Sequence, residues 1–274
     1  MKPELQRRVQ RYGWDWASDF YETRWQRQLA PAQERMLEAA RIEPGEQVLD
    51  VACGTGLVTF PVARAVGARG HVTAVDLSDK MVETATRQAE AVGIANVSFR
   101  QMDAEALDFP DGSFDVVVCG LGLMYFPEPV QSLREMHRVL RPGGRCAVAV
   151  WGARDACGWA EIFPVVERRV SSDVCPLFFQ LGTGRAMEVA FEVAGFENVE
   201  SERLNYLLEY DDESELLEAM FAGGPVALAY RKFSPETRAD VHADFLKSVA
   251  SYRHDGDGFS IPGEFVVASA RRPL

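Results

Sequence analysis

The stretch that decides the fold is Val48–Thr59, "VLDVACGTGLVT". An apolar run leads into a glycine-rich loop, and a helical pattern follows. Strand, glycine turn and helix in this order are typical of the first unit of a nucleotide-binding sheet. The dinucleotide spacing G-x-G-x-x-G would need glycines at positions that hold Ala52, Gly54 and Leu57. The loop therefore predicts close approach of the backbone to a ligand, and the spacing disfavours a pyrophosphate and NAD.

Outward from this stretch, short apolar segments alternate with helical patterns. The predicted strands are residues 47–51, 71–76, 97–102, 114–120 and 145–151, and the predicted helices between them are 57–67, 78–92 and 129–140. Ser78 is a good N-cap, and Gly93 is a good residue to follow the end of a helix. Strands and helices that alternate with short links predict an α/β fold with a mostly parallel sheet and helices on both faces.

The flanking regions follow a different pattern, and we interpret the whole chain as one domain with helical additions. Residues 14–41 are predicted to be helical with a break at Pro31. The predicted divisions are an N-terminal helical cap over 1–44, a cofactor-binding core over 45–152, an insertion over 153–182 and a C-terminal part of the core with helical decorations over 183–274. The last of these contains two further strand candidates, around residues 197–210 and 258–272.

Composition narrows the class of protein. The 274 residues carry a formal net charge of −12, which disfavours nucleic acid and an anionic membrane surface as partners. Ten of the acids lie within residues 192–218, as a solvated face or as an edge that steers a cationic substrate. The five cysteines form no C-x-x-C pair, so we expect no metal site and reduced thiols in the cytoplasm. The N-terminus lacks an apolar signal region, and no apolar run is long enough to span a bilayer.

Three residue patterns follow successive predicted strands, where an open α/β sheet binds its ligand. Gly54 and Gly56 follow the first strand and allow a close approach to the helix start. Asp76 ends the second strand, and a carboxylate there can accept hydrogen bonds from both hydroxyls of a ribose. Asp103 follows the third strand and is either an acceptor for an adenine amino group or a turn former. Two small or apolar residues, Met102 and Ala104, can line the ring.

Four segments of the core carry a family resemblance: "VLDVACGTG", "VTAVDLSDKMVETA", "VSFRQMDAEALDFPDGSFDVVVCG" and "SLREMHRVLRPGGRCAVAVWG". In this order they resemble the motifs of class I S-adenosylmethionine-dependent methyltransferases. Within that class they are most similar to the small-molecule branch that includes the ubiquinone/menaquinone C-methyltransferases. The resemblance covers about residues 45–152. It implies a Rossmann-like sheet of seven strands whose last strand is antiparallel, with residues 198–208 beside it.

The resemblance also implies roles for the matched positions toward the cofactor S-adenosylmethionine. The methionine part would lie on Gly54 and Gly56, with Asp50 holding the loop and the cofactor amine. The family often has glycine where this chain has Ala52, for which we expect tighter packing rather than loss of binding. The adenosine part would meet the following residues: Asp76 at the ribose, Leu77 and Met81 against the adenine, Asp103 and Ala104 at its edge, and the backbone carbonyl of Cys119 at the amino group.

The sequence assigns no general base, because each histidine is better explained by a structural role. Aromatic residues are the better candidates for the walls of the acceptor site: Tyr21, Trp25, Tyr125 and Trp151. Part of this set lies in an N-terminal aromatic cluster with Trp14 and Phe20, which is either core packing or a flap over a ligand. Such walls suit a planar acceptor, or a cationic amine through cation–π contact.

The leading interpretation is therefore methyl transfer to oxygen, nitrogen or carbon of a small molecule, with S-adenosylhomocysteine as the second product. The absence of N-P-P-Y/F after the fourth strand, where "GLGLMYF" stands, also disfavours a nucleic-acid base as acceptor. Two alternatives remain open: a non-catalytic adenosyl-binding regulatory module and an NAD-dependent oxidoreductase. The expected assembly is a monomer or a homodimer.

Overall fold

A computed structural model describes residues 3–170, 178–254 and 256–274, without the side chains of Asp19, Phe20 and Glu22. Cys175 and part of the predicted insertion thus lie outside the described residues. One seven-stranded sheet has the order β3-β2-β1-β4-β5-β7-β6. Its strands are β1 (Gln47–Val51), β2 (His71–Asp76), β3 (Val97–Gln101), β4 (Phe114–Gly120), β5 (Leu140–Trp151), β6 (Glu197–Tyr210) and β7 (Phe259–Arg271).

Helices cover both faces of this sheet. The α-helices are α1 (Pro3–Ala40), α2 (Thr59–Val66), α3 (Asp79–Val92), α4 (Pro129–Val139), α5 (Ile162–Glu167), α6 (Ala186–Val193), α7 (Glu213–Leu217), α8 (Ala227–Tyr230) and α9 (Pro235–Ser248). A short π-helical stretch, Glu218–Ala222, follows α7. The predicted capping at α3 is present, because the Ser78 hydroxyl accepts the Met81 N–H at 3.1 Å and Gly93 takes a left-handed conformation with φ of 70°.

The pairing of the strands confirms the predicted fold class. Strands β1 to β5 pair in parallel, and β7 runs antiparallel to both β5 and β6. The continuous apolar run of β4 has Val116, Val117 and Val118 fully buried, as expected for a strand covered on both faces. The carboxyl ends of β1, β2, β3 and β4 consequently meet at one edge of the sheet, where the glycine loop also lies.

The predicted break at Pro31 is wrong. The helix α1 is 38 residues long and continues through Pro31 without interruption. Leu29, Ala32 and Met36 on either side are buried. The helix packs on β4, β5 and β7 and also touches α3 and α8. Burial of this apolar stripe offsets the backbone hydrogen bond that proline removes, so tertiary packing overrides the local rule. The N-terminal half of α1 thereby reaches the carboxyl edge of the sheet.

The segment after Trp151 packs back onto the sheet through aromatic side chains. Trp159 is fully buried, with its ring centroid 4.8 Å from that of Trp151 and 6.0 Å from that of Phe163. The division into cap, core and insertion stays a prediction. Four of the ten acidic residues of 192–218 lie on the edge strand β6, and all four are exposed, which favours a solvated face. Among the described helices, none has the length and apolar character needed to cross a membrane.

Candidate active site

The loop after β1 is held in an unusual backbone conformation. Ala52, Gly54 and Gly56 all have positive φ angles, of 57°, 55° and 101°. Below the loop, Asp50 is buried and one of its carboxylate oxygens accepts the Thr59 hydroxyl at 2.6 Å. The other oxygen, Oδ1, has no hydrogen-bond partner within the described part of the chain. Burial raises the pKa of Asp50 to about 7, and the Thr59 hydrogen bond opposes this rise.

Asp76, at the end of β2, links the first two loops of the site. One carboxylate oxygen accepts the Gly54 backbone N–H at 2.9 Å, and the other accepts the Ser78 N–H at 2.9 Å. Burial raises its pKa to about 6, although both backbone hydrogen bonds favour the charged form. A carboxylate offers about four lone-pair positions, so Asp76 keeps capacity for two more donors from a ligand.

These loops border a cleft with about 760 Å³ of empty space, partly open to solvent. Its wall combines residues that follow β1, β2, β3 and β4 with residues from α1. The described lining is Arg7, Gln10, Trp14, Tyr21, Ala52, Gly54, Val75, Asp76, Leu77, Met81, Met102, Asp103, Ala104, Glu105, Gly120, Leu121, Gly122, Tyr125, Phe126 and Pro127. The structure thus brings together four strand ends that are far apart in the sequence.

Most of the predicted cofactor residues lie in this lining: Ala52, Gly54, Asp76, Leu77, Met81, Met102, Asp103 and Ala104. Three others do not. Asp50 lies beneath the loop, Gly56 packs against the Phe60 ring, and Cys119 is fully buried within β4. A Cβ on Gly56 would lie 2.6 Å from that ring. Glycine at this position therefore allows the loop to pack against Phe60, on the side away from the cleft. Gly120 and Leu121, which follow Cys119, are the residues that reach the cleft from β4.

Asp103 already has a partner from the N-terminal helix. Its carboxylate receives the Arg7 guanidinium at 3.1 Å and also accepts the Glu105 backbone N–H at 2.9 Å. Arg7 also pairs with the buried Glu105 carboxylate, which accepts the Glu128 N–H at 2.9 Å. This ion-pair cluster fastens α1 to the loop after β3. Neither Arg7 nor Glu105 is predicted from the sequence, since neither falls in a motif at a strand end.

A second, smaller chamber lies beside the cleft, with about 300 Å³ of empty space that includes open solvent. Its walls are almost entirely aromatic and apolar. The described lining is Trp14, Tyr21, Trp25, Leu29, Leu121, Met124, Tyr125, Trp151, Trp159, Gly223, Gly224 and Pro225. We name it the aromatic chamber. All four aromatic residues predicted for the acceptor site lie in it.

The cleft and the aromatic chamber share part of their walls. The shared residues are Trp14, Tyr21, Leu121 and Tyr125. Tyr21 lies over the glycine loop, because a Cβ on Gly54 would be 3.7 Å from its ring. Trp14 makes edge contacts with both tyrosines, at centroid distances of 5.5 and 5.0 Å. Trp14 belongs to the predicted aromatic cluster but not to the predicted acceptor walls. Its spacing from Tyr21 and Trp25, which places all three on one helix face, could have indicated that it lines the same cavity.

Titratable groups are scarce near the aromatic chamber. Among its described lining residues, the two tyrosines are the only ones that ionise in an accessible pH range. Burial, with a smaller contribution from Asp76, raises the pKa of Tyr21 well above its usual value, so its hydroxyl stays protonated. The four histidines lie elsewhere: His71 against Ser98, His137 against Phe196, His242 against Tyr230, and His254, whose backbone N–H donates to the Gly258 carbonyl. Among the described residues, no group of side chains is arranged to hold a metal ion.

Comparison with known proteins agrees with this architecture. A family described as "Methyltransferase domain" matches residues 48–144. The demethylmenaquinone methyltransferase of Listeria welshimeri is 36% identical over 138 residues, which cover 50% of this chain and 58% of that protein. The corresponding protein of Geobacillus kaustophilus is 38% identical over 112 residues, 41% of this chain and 48% of that one. The chain thus spans about half the length of the curated relatives it matches.

A solved structure shows the same fold over nearly the whole chain. The crystal structure of a putative methyltransferase from Bacillus halodurans aligns with a TM-score of 0.62 and 24% identity, covering 89% of this chain and all of that one. The sheet order and the antiparallel last strand agree with this likeness. Residues 48–144 thus match a methyltransferase-domain family, over the segments in which the sequence motifs predicted one.

Proposed function

We propose that the protein transfers the methyl group of S-adenosylmethionine to a small-molecule acceptor and releases S-adenosylhomocysteine. The observation that carries this proposal is the shared wall between the cleft and the aromatic chamber. Methyl transfer is an in-line displacement, so donor and acceptor must lie end to end in neighbouring spaces. A cleft with ribose-binding chemistry beside a separate apolar chamber meets that requirement.

The residues of the cleft fit the adenosine half of the cofactor. Asp76 keeps free lone pairs for the two ribose hydroxyls while its backbone partners hold it in place. Leu77, Met81 and Met102 supply apolar wall for the adenine, and Asp103 lies at the edge of the same wall. The Asp103 carboxylate has lone pairs that Arg7 and the Glu105 N–H do not use. We infer that one of them accepts a hydrogen bond from the adenine amino group.

The loop after β1 fits the amino-acid half. Ala52 and Gly54 bring the backbone to the cleft, and Asp50 lies beneath with a buried carboxylate oxygen that has no partner in the described structure. A buried polar atom without a partner is costly, and a cofactor ammonium group, directly or through water, would provide one. The loop lacks the glycine spacing with which a dinucleotide site holds its pyrophosphate, which favours an adenosyl ligand over a dinucleotide.

The bound cofactor supplies a methyl group already activated on a sulfonium cation. The chain's contribution is then to position the acceptor, exclude water and favour loss of the positive charge. The aromatic faces of Tyr21 and Tyr125 border both cavities and offer cation–π contact at that point. No histidine or carboxylate is among the described lining residues of the aromatic chamber, so we propose that the acceptor reacts without a proton taken by the protein in the same step.

The proposal names a small molecule rather than the substrate of the curated relatives. Most of the described walls that would select the acceptor lie outside the matched residues 48–144, in α1, Trp151, Trp159 and residues 223–225. Leu121, Met124 and Tyr125 lie within the matched residues. We further propose a reducing, cytoplasmic setting, because the described cysteines are buried free thiols. The net charge of −12 favours acceptors other than nucleic acid. A monomer or a homodimer stays our expectation.

Calorimetry with S-adenosylmethionine, S-adenosylhomocysteine and NAD tests the cofactor assignment. We expect both adenosyl ligands to bind and Asp76→Ala to weaken them at least tenfold, since two charge-assisted hydrogen bonds are lost. Asp79→Ala is the matched control, because Asp79 is a nearby carboxylate at the start of α3 that pairs with Arg11 at the surface. Binding of NAD without either adenosyl ligand would refute the proposal.

Transfer of a labelled methyl group to a panel of small acceptors separates the enzyme from a non-catalytic adenosyl-binding module. The enzyme transfers label to at least one acceptor and loses this activity with Asp76→Ala. A module binds S-adenosylhomocysteine with the same affinity but transfers no label to any acceptor. The aromatic chamber favours the first outcome, because a regulatory module needs no second cavity beside the cofactor.

A further inference from the structure

Two indole N–H groups in the aromatic chamber lack a hydrogen-bond partner. Trp25 and Trp159 both line the chamber, and only 4% and 0% of their surfaces are exposed. The Nε1 atom of each is buried, and neither finds an acceptor within the described residues. Such groups are uncommon in folded proteins, where buried donors are nearly always paired. Two in one small cavity therefore point to a ligand that supplies the acceptor.

The position of Trp25 places its N–H at the chamber wall. A Cβ built on Gly223, another lining residue, would lie 3.3 Å from Trp25 Nε1. The Trp25 and Trp159 rings lie 6.5 Å apart at a steep angle, and both contact Trp151. Trp151 is itself stacked on Phe265 at 4.2 Å. The two indoles are thus fixed by packing, so their N–H groups cannot turn away to find other partners.

The chemistry of the chamber selects among possible acceptors. Among the described lining residues, none is an aspartate, glutamate, lysine, arginine or histidine. An indole N–H donates but does not accept, so it pairs with an oxygen or an uncharged ring nitrogen. An ammonium group brings donors alone, and it would leave both indoles unpaired. Flat aromatic walls favour a planar ligand.

We propose that Trp25 and Trp159 are hydrogen-bond donors to the oxygen atoms of an uncharged, planar acceptor. This assignment rests on the proposed function, because it names the class of molecule that occupies the second cavity of that site. It also decides between the planar molecule and the cationic amine that the sequence leaves open. Specificity would then come from satisfying two buried donors, a requirement that strongly rejects analogues lacking the oxygen.

Indole N–H resonances test the proposal directly. Protein labelled with ¹⁵N-tryptophan and saturated with S-adenosylhomocysteine has five indole groups, each assigned by a Trp→Phe substitution. The probes are chromone, a planar neutral ketone; naphthalene, which has no oxygen; and N-methylquinolinium, a planar cation. We expect chromone to move the Trp25 or Trp159 proton signals downfield, and naphthalene to leave them near their starting positions. Chromone binding without such a shift, or no chromone binding, would overturn the assignment.

Affinities measured by calorimetry give a second, independent readout. We expect chromone to bind at least tenfold more tightly than naphthalene or N-methylquinolinium, and Trp25→Phe and Trp159→Phe to reduce the preference over naphthalene at least fivefold. Trp16→Phe is the control, because Trp16 is partly exposed beneath Arg231 and lies outside the chamber lining. Tightest binding of N-methylquinolinium would overturn the inference.

The two proposals fail in different ways. S-adenosylhomocysteine affinity is measured first, and its loss or absence contradicts the proposed function. Normal S-adenosylhomocysteine affinity with an unchanged ratio of chromone to naphthalene in both variants contradicts the role of the two tryptophans alone. If a variant does not fold, the wild-type resonances still decide the question.

Discussion

A methyl group on Gly122 would lie 2.4 Å from the Cβ of Ala52, closer than two such atoms approach in folded proteins. The two residues belong to the loops after β4 and β1, and both line the cleft. The absence of a side chain at Gly122 therefore leaves room for the methyl group of Ala52. The two loops form one packed floor.

We expect Gly122→Ala to lower the free energy of unfolding by about 1–3 kcal/mol, because overpacking forces the two loops apart. The φ angle of Gly122 is −99°, so backbone strain is not the cause. Urea denaturation measures the loss, and calorimetry should show weaker S-adenosylhomocysteine binding. Gly13→Ala in α1 is the control, since its Cβ would meet Leu228 at an ordinary 3.7 Å. Equal stability of Gly122→Ala and wild type would show that the loops adjust freely.

Ala52→Gly should raise the free energy of unfolding by up to about 1 kcal/mol, because Ala52 has a left-handed φ of 57° that costs an L-residue energy. In the Gly122→Ala background, Ala52→Gly should raise the free energy of unfolding by more, since it also removes the Ala52 methyl group that clashes with the new one. A double-mutant cycle in urea measures this coupling. Strictly additive effects would contradict direct contact between the two positions.

The buried carboxylates predict a pH dependence of stability. Burial raises the pKa of Asp50 to about 7 and that of Asp76 to about 6, above the values near 4 expected in the unfolded chain. The folded state thus binds more protons between pH 4 and 7, and these groups make stability fall as pH rises through that window. We expect Asp50→Asn to gain stability relative to wild type between pH 5 and 8, by at most about 4 kcal/mol at 1.36 kcal/mol per pKa unit.

Urea denaturation at several pH values measures this difference. Asp108→Asn is the control, because 89% of the Asp108 side chain is exposed. Parallel stability curves for wild type and Asp50→Asn would contradict the burial of a titrating carboxyl. The same pKa values imply that S-adenosylhomocysteine binds more weakly below pH 6, where a protonated Asp76 no longer accepts from both ribose hydroxyls.

Arg7→Ala should release the N-terminal half of α1 from the loop after β3. We expect dissociation of S-adenosylhomocysteine to become about fivefold faster, the effect of about 1 kcal/mol for a partly exposed ion pair. Stopped-flow displacement measures the rate, and added salt should speed the wild type toward the variant. Arg8→Ala is the control, because Arg8 lies in a different surface groove, with Tyr12 and Trp16. Equal rates for both variants would show that the ion pairs do not hold the cleft closed.

Gly223→Ala should narrow the aromatic chamber and leave the cofactor cleft unchanged. Gly223 has a φ of −94°, so alanine fits the backbone, and its methyl group would press on Trp25 Nε1 at 3.3 Å. We expect chromone and naphthalene to bind at least threefold more weakly, with S-adenosylhomocysteine affinity within twofold of wild type. Calorimetry checks both quantities. A parallel loss for all three ligands would indicate that the two cavities are not separate.

The central sheet was predictable because its signals are local. "QVLDV", "HVTAVD" and "FDVVVCG" became strands over the predicted residues, and the caps at Ser78 and Gly93 follow from backbone chemistry alone. Asp76 and Asp103 could be placed because parallel strands deliver their ends to one edge of the sheet. Pro31 shows the limit, since a local rule predicted a break where burial of the neighbouring residues keeps the helix intact.

The acceptor side was predictable only in part. Tyr21, Trp25, Tyr125 and Trp151 were expected in one pocket and line the aromatic chamber together, although their roles stay untested. Trp159 and Gly223–Pro225 could not be foreseen, because their position depends on how segments far apart in sequence fold back onto the sheet. Arg7 was missed for the same reason: its partners, Asp103 and Glu105, are almost a hundred residues away.

The shared wall of the cleft and the aromatic chamber has a thermodynamic consequence. Trp14 and Tyr21 belong to α1 and border both cavities, so a single helix closes over two ligands. Two ligands that both contact Trp14 and Tyr21 share the cost of fixing these side chains, so the first ligand to bind lowers that cost for the second. Linkage then requires each ligand to raise the affinity of the other by the same factor. Under the proposed function, we therefore expect the binding of the methyl donor and the binding of the acceptor to be thermodynamically coupled.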